Sequence, residues 1–262
     1  MLRFEDRWKA LRFNRLDFDK KYVIDQVLSQ TPRSQVLLTR RRGGKRQSVM
    51  KLSDPGTFNP QEIECLRAVN HPGIVSYLGH GLTKDRRLWV ETEYVDGVPL
   101  SAWRGNANSQ PAETQGGQGV DTAPTIAIAA TTILSRLIEV VQYLHCCGWL
   151  HGDLSPQNIL ISTNQHRVLL VDFERARSIH SAATMPPRKH SLAYASPWEI
   201  DGGTTTEACE HYALGKLVSL LLDSLEPRMR IDIKPLLDQA TGAKPDLRVA
   251  AIRQISQRLG TP

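Results

Sequence analysis

The pattern of apolar residues changes once along this chain, and the change divides it. From Tyr22 to Val95 the apolar residues fall in short, β-branched runs. "QVLLT" and "QSVMKL" flank the basic stretch "RRRGGKR", whose Gly43-Gly44 pair reads as a hairpin turn, and "RLWVETEYV" is a further strand. One helix interrupts them, "NPQEIECLRAVN", with Pro60 near its start and Ile63, Leu66 and Val69 on one face. Beyond Val95 the helical period dominates. "TIAIAATTILSRLIEVVQYLH" reads as a long amphipathic helix, and only "HRVLLVDF" is strand-like. Strands first and helices after predict an α+β chain in two lobes, with a cleft where they join.

Composition narrows the class. Of the 262 residues 40% are apolar and 23% charged, as in ordinary globular proteins. No apolar run reaches the length of a membrane span. The first residues, "MLRFEDRWKALRFNRLDFDKKY", mix acids and bases, unlike a secretory signal, and read as a short extension over 1–21. Cys65, Cys146, Cys147 and Cys209 lack metal-ligand spacing and read as free thiols. The net charge of +6 favours anionic partners but is too diffuse to demand nucleic acid. Its densest cluster, Arg40 to Arg46, reads as a solvated hairpin tip or a docking patch for an acidic partner. "RGNANSQPAETQGGQGVDTAP", from Arg104 to Pro124, has almost nothing to bury and reads as a flexible insertion.

Phosphoryl transfer from a nucleotide needs a cation on the phosphates, oxygen ligands for Mg2+, and a carboxylate that orients the attacking hydroxyl. The chain carries such parts in order. Lys51 lies in "SVMKL". Glu62 follows on the helix. Asp153 and Asn158 share "HGDLSPQN", and Asp172 ends the strand-like "LLVDFE". Each has a plain structural reading alone: a solvated lysine, a helix-face glutamate, an Asx turn. Together they resemble the motifs of a eukaryotic-type protein serine/threonine kinase over about residues 22–255.

That resemblance implies a bilobal kinase fold, a small lobe over 22–95 and a larger one over 96–262. It implies that Lys51 binds phosphates, that Glu62 is its ion-pair partner, and that Leu66 belongs to the packed spine. It puts Val36, Val49 and Leu160 around adenine, Thr92 at the gatekeeper position, and the backbones of Glu93 and Val95 against the base. It makes Asp153 the catalytic base and Asn158 and Asp172 the metal ligands. "EHYALG" resembles the start of the large lobe's central helix. The cofactors implied are ATP and Mg2+, the partner a protein substrate, the state a monomer or weak dimer. The location implied is the cytoplasm, or a host cytosol for a secreted effector.

The chain also departs from the family pattern. Ser29, Thr31 and Ser34 stand where a glycine loop is usual, so hydroxyls replace some of its phosphate contacts. Gly152 replaces the arginine before the catalytic Asp, which removes the link to an activation-segment phosphate. Ser155 replaces a phosphate-neutralising lysine, and Arg175 and Arg177 are candidate substitutes. Glu174 replaces the glycine after "DF" and reads as a further metal ligand or a solvent-facing carboxylate. In "SLAYASPWEI" Ser191 takes the place of the threonine that shapes the substrate site, and Trp198 intrudes before Glu199. Arg248 is expected to pair with Glu199. After Leu225 the substrate-docking helix is expected to be short or absent. Two other readings stay open: a kinase-like binding module, and a small-molecule kinase of the aminoglycoside or choline type, which "HGDLSPQN" with "DFE" also resembles.

Overall fold

The computed structural model describes residues 18–103, 129–162, 167–181 and 191–260. The expected insertion over 104–124 and most of the extension over 1–21 lie outside these residues. A single helical turn, α1 (Phe18–Lys21), leads into strands β1 (Tyr22–Gln30), β2 (Ser34–Arg41) and β3 (Gln47–Ser53). Helix α2 (Pro60–Ala68) follows, then β4 (Tyr77–Leu82) and β5 (Leu88–Glu93). The five strands form one antiparallel sheet in the order β1-β2-β3-β5-β4.

Alternation decides what the sheet shows to each side. Along β3, Ser48, Met50 and Leu52 are buried, while Val49 and Lys51 are half-exposed. Met50 and Leu52 pack with Tyr22, Leu37 and Trp89 in a small upper core. The other face is left to the cleft. β4, "YLGHGL", carries no clear strand alternation in sequence, because two glycines interrupt it; pairing to β5 makes it a strand.

The second lobe is built on α3 (Ala130–Cys146). Its residues Ile133, Leu134, Leu137, Ile138, Val140, Val141 and Leu144 are wholly inaccessible to solvent. Each contributes roughly 1.5–3 kcal/mol of transfer free energy. They join Ile63 and Leu66 of α2 and Leu214, Leu217 and Val218 of α5 (Glu207–Leu221) in one core that crosses the lobe boundary. Short pairs β6 (Val98–Pro99) with β8 (Ile159–Ser162), β8 with β9 (Arg167–Leu170), and β7 (Trp149–Leu150) with β10 (Arg177–Ser178) lie along the cleft edge. Helix α4 (Pro197–Ile200) precedes α5, and α6 (Pro227–Ala240) and α7 (Pro245–Arg258) close the lobe. The stretch after Leu225 is thus two 14-residue helices packed against α5.

Arg248 departs from expectation. Its guanidinium donates to the carbonyls of Gly242 (2.8 Å) and Ala208 (3.3 Å) and lies over the Tyr212 ring, 5.2 Å from its centroid. Glu199 is taken up locally instead, in a capping box with Ser196 and by the Thr205 hydroxyl at 2.8 Å. The expected Arg248–Glu199 pair is replaced by these bonds. Trp198 is accommodated by turning outward: its ring lies on Gly203 and its indole N–H donates to the Thr204 carbonyl at 2.9 Å.

Candidate active site

The register of the sheet gathers one set of side chains. Val36 lies opposite Lys51 across β2 and β3, and Val49 lies opposite Thr92 across β3 and β5. Directly opposed residues share a face, as do residues two apart on one strand. Val36, Val49, Lys51 and Thr92 therefore line the same face, toward the cleft. Leu160 is the half-exposed residue of β8 among buried neighbours. Val95, just past β5, has a buried side chain. The Glu93 N–H is committed to the Ser76 carbonyl (2.9 Å), and its carboxylate takes both Arg167 Nη atoms at 2.9 and 3.3 Å.

Lys51 sits at the centre. Its Nζ lies 3.1 Å from Glu62 Oε1, 3.2 Å from Asp172 Oδ1 and 3.0 Å from Glu174 Oε2. Burial by itself works against this ammonium and lowers its pKa. The three carboxylates, Glu62 foremost, more than offset that and hold its pKa above the ordinary lysine range. Glu174, whose side chain is 30% exposed, is here a third counter-ion to Lys51.

Asp172 is held in a left-handed conformation (φ 57°, ψ 69°), one of two non-glycine residues with positive φ among those described. Such strain persists where the surroundings fix it. Here Phe173 is buried behind it, its ring 4.7 Å from that of His151, and His151 Nε2 bonds the Val171 carbonyl at 2.9 Å. His151 thus packs against Phe173 and holds the Val171 carbonyl.

The catalytic-loop motif closes on itself. Asn158 Nδ2 donates to the Asp153 carbonyl (2.9 Å) and to Asp153 Oδ2 (3.1 Å). The Ser191 hydroxyl donates to Asp153 Oδ1 at 2.5 Å, which joins the closing segment to this carboxylate. A cleft beside Asp153 is lined by Gly152, Arg175, Ser191, Tyr194 and Glu199, among others.

Gly152 has a physical reason to be glycine. Its φ is +77°, and a Cβ there would lie 2.3 Å from the Arg175 carbonyl oxygen. Its N–H donates to Glu210 Oε1 at 2.7 Å, and Glu210 Oε2 bonds His145 Nε2 at 2.7 Å. Burial works against the Glu210 carboxylate, but His145 and the Gly152 N–H hold its pKa below the ordinary glutamate value. Ser155 is fully buried and its hydroxyl bonds nothing among the described residues. Of the two candidate substitute cations, Arg177 is 2% exposed and faces the interior, whereas Arg175 lines the cleft. In the lid, the Thr31 hydroxyl accepts from Ser34 N (3.0 Å) and donates to the Ser34 carbonyl (3.3 Å). That hydroxyl closes the β1–β2 turn.

Two features escaped the sequence. The contact of Glu174 with Lys51 had no motif to announce it. Asn59, beside the noted Pro60, carried the visible signal of a helix cap; its further bonds to Glu174 and Ala176 had none.

A sheet-capped cleft over a helical lobe, with Lys51, Glu62 and Asp172 joined and Asp153 and Asn158 bonded, defines the protein-kinase class of fold and site. The protein kinase domain family model matches residues 34–256, and the chain belongs to that family. It is 27% identical, over 81% of its length, to the probable serine/threonine-protein kinase PkwA of Thermomonospora curvata, of which it spans 28%. It is 24% identical, over 86% of its length, to a probable myosin light chain kinase of Dictyostelium discoideum, of which it spans 70%. The solved structure of the Cydia pomonella granulovirus kinase PK-1 superposes with a TM-score of 0.69 at 16% identity, over 90% of this chain and 92% of that one. No helix among the described residues is long and apolar enough to cross a membrane.

Proposed function

We propose that this chain transfers the γ-phosphoryl group of ATP to serine or threonine hydroxyls of a protein substrate. The observation that carries the reading is Lys51 bonded at once to Glu62 and Asp172, beside a catalytic loop in which Asn158 bonds Asp153. Val36, Val49 and Leu160 enclose the base, Thr92 stands at its rear, and the backbones of Glu93 and Val95 bond its edge. The donor set suits a hard cation: the amide oxygen of Asn158 and the carboxylate of Asp172 are oxygen ligands of the kind Mg2+ prefers. When bound, that ion would neutralise charge on the phosphates.

Lys51 holds the phosphates by its ammonium. Asp153, held between Asn158 and Ser191, orients the substrate hydroxyl and accepts its proton. Arg175, which lines the cleft with Asp153, takes the place of the cation lost at Ser155. A module that only binds is not favoured, since Lys51, Glu62, Asp153, Asn158 and Asp172 are all present. A small-molecule kinase is not favoured either: the Ser191 bond to Asp153 belongs to a closing segment that shapes a protein-substrate site. The test is incubation with Mg2+ and γ-labelled ATP, offering generic protein substrates, an aminoglycoside and choline in separate reactions. Label on phosphoserine or phosphothreonine is expected; label on the small molecules alone would overturn the reading.

A further inference from the structure

The Asn59 side chain does three things at once. Its Oδ1 accepts from Gln61 N at 3.1 Å, which caps the first turn of α2. Its Nδ2 carries two N–H donors. They reach the Glu174 carbonyl at 2.9 Å and the Ala176 carbonyl at 2.8 Å. One turn position on, Gln61 Oε1 accepts from Ser178 N at 2.9 Å. The start of α2 is thus bonded to the stretch directly after Asp172, across more than a hundred residues of chain.

We infer that Asn59 is a positioning residue that clamps α2 onto the turn after Asp172 and so keeps Glu62 on Lys51 without a phosphate on the activation segment. The inference rests on the phosphoryl-transfer reading above. Glu62 lies three residues past Asn59 on the same helix, and Asp172 lies two residues before Glu174. Both ends of the clamp therefore adjoin groups that touch Lys51. α2 is only nine residues long, so its own backbone bonds do not fix its position. Elsewhere an arginine before the catalytic Asp can tie a phosphorylated segment to the rest of the site. Here that arginine is sterically excluded, because any Cβ at position 152 would strike the Arg175 carbonyl. The Asn59 and Gln61 bonds run between neutral groups and need no modification. They supply the missing tie.

A cap alone would explain only the Oδ1 bond, so the donors are what must be tested. Asn59→Asp keeps a cap acceptor and loses both donors; Asn59→Ser keeps a short cap and cannot span both carbonyls. The readouts are amide hydrogen exchange of residues 60–68 on the full, ligand-free chain, and the initial rate with Mg2+-ATP. Both variants are expected to exchange about tenfold faster in this helix. Their rate is expected to fall about tenfold, ~1.4 kcal/mol in barrier, mainly in kcat. Gln61→Leu, which leaves the cap untouched, moves both readouts the same way and decides the matter should the Asn59 variants not fold. Wild-type exchange in all the folded variants overturns the clamp, whatever happens to the rate. Faster exchange in the variants of a wild type that transfers no phosphate would keep the clamp and sink the kinase reading instead.

Discussion

Lys51 carries one positive charge against three carboxylates, and that imbalance governs how a nucleotide enters. Glu174 stands 3.0 Å from the ammonium on which phosphates would settle. Removing it should favour the anion. Even screened as in bulk water, one such charge about 4 Å away is worth about 1 kcal/mol. Glu174→Ala is therefore expected to lower the Kd for Mg2+-free ATP by roughly threefold to tenfold, read by calorimetric titration; unchanged or weaker binding would mean that Glu174 serves the nucleotide. Asp172→Asn should weaken Mg2+-ATP binding and abolish transfer together. The five groups Lys51, Glu62, Asp153, Asn158 and Asp172 were legible because motifs fix their order and spacing. Glu174, Asn59 and the packing around Gly152 were not, since their contacts depend on backbone approaches between segments distant in sequence.

At the scale of elements, α3 and α5 support the catalytic loop through the buried His145–Glu210 bond and the Glu210 bond to Gly152 N. The folded state holds the Glu210 pKa below its ordinary value of 4.5. Its contribution to stability is therefore complete above that value and is lost as pH falls through the lower, folded-state one. Glu210→Gln is expected to cost roughly 1.5–3 kcal/mol at pH 7, the worth of hydrogen bonds to a buried charged group. The gap between variant and wild type in urea unfolding should close as the pH is lowered from 6 to 3. A gap constant across that range would show that Glu210 is not the titrating support. The helices themselves were legible from periodicity, α2 and α3 above all. β4 was hidden by Gly79 and Gly81, and the two closing helices by a stretch rich in charge, with Pro235 inside α6.

At the scale of the whole molecule, this is a kinase domain in which the Asn59 and Gln61 bonds tie α2 to the stretch after Asp172, and the clamp inferred from them needs no phosphate. Protein stripped by phosphatase, with the phosphatase then removed, is expected to keep most of its initial rate. A tenfold drop, ~1.4 kcal/mol of barrier, would mean that some cation other than the absent arginine reads a phosphate. The two-lobed architecture followed from where the hydrophobic period changes, because strands and helices bury different patterns. The small lobe's tie to the large one at Glu93–Arg167 did not, because it joins two segments 74 residues apart. The most direct measurement compares wild type with Asp153→Asn for transfer of γ-labelled phosphate to protein serine and threonine, with Mg2+-ATP binding followed by thermal shift in the same samples. Transfer is expected from the wild type only, and a shift in both, since Asp153 meets the hydroxyl and not the nucleotide. Near-wild-type turnover by Asp153→Asn, or no shift of either protein at millimolar Mg2+-ATP, would contradict it.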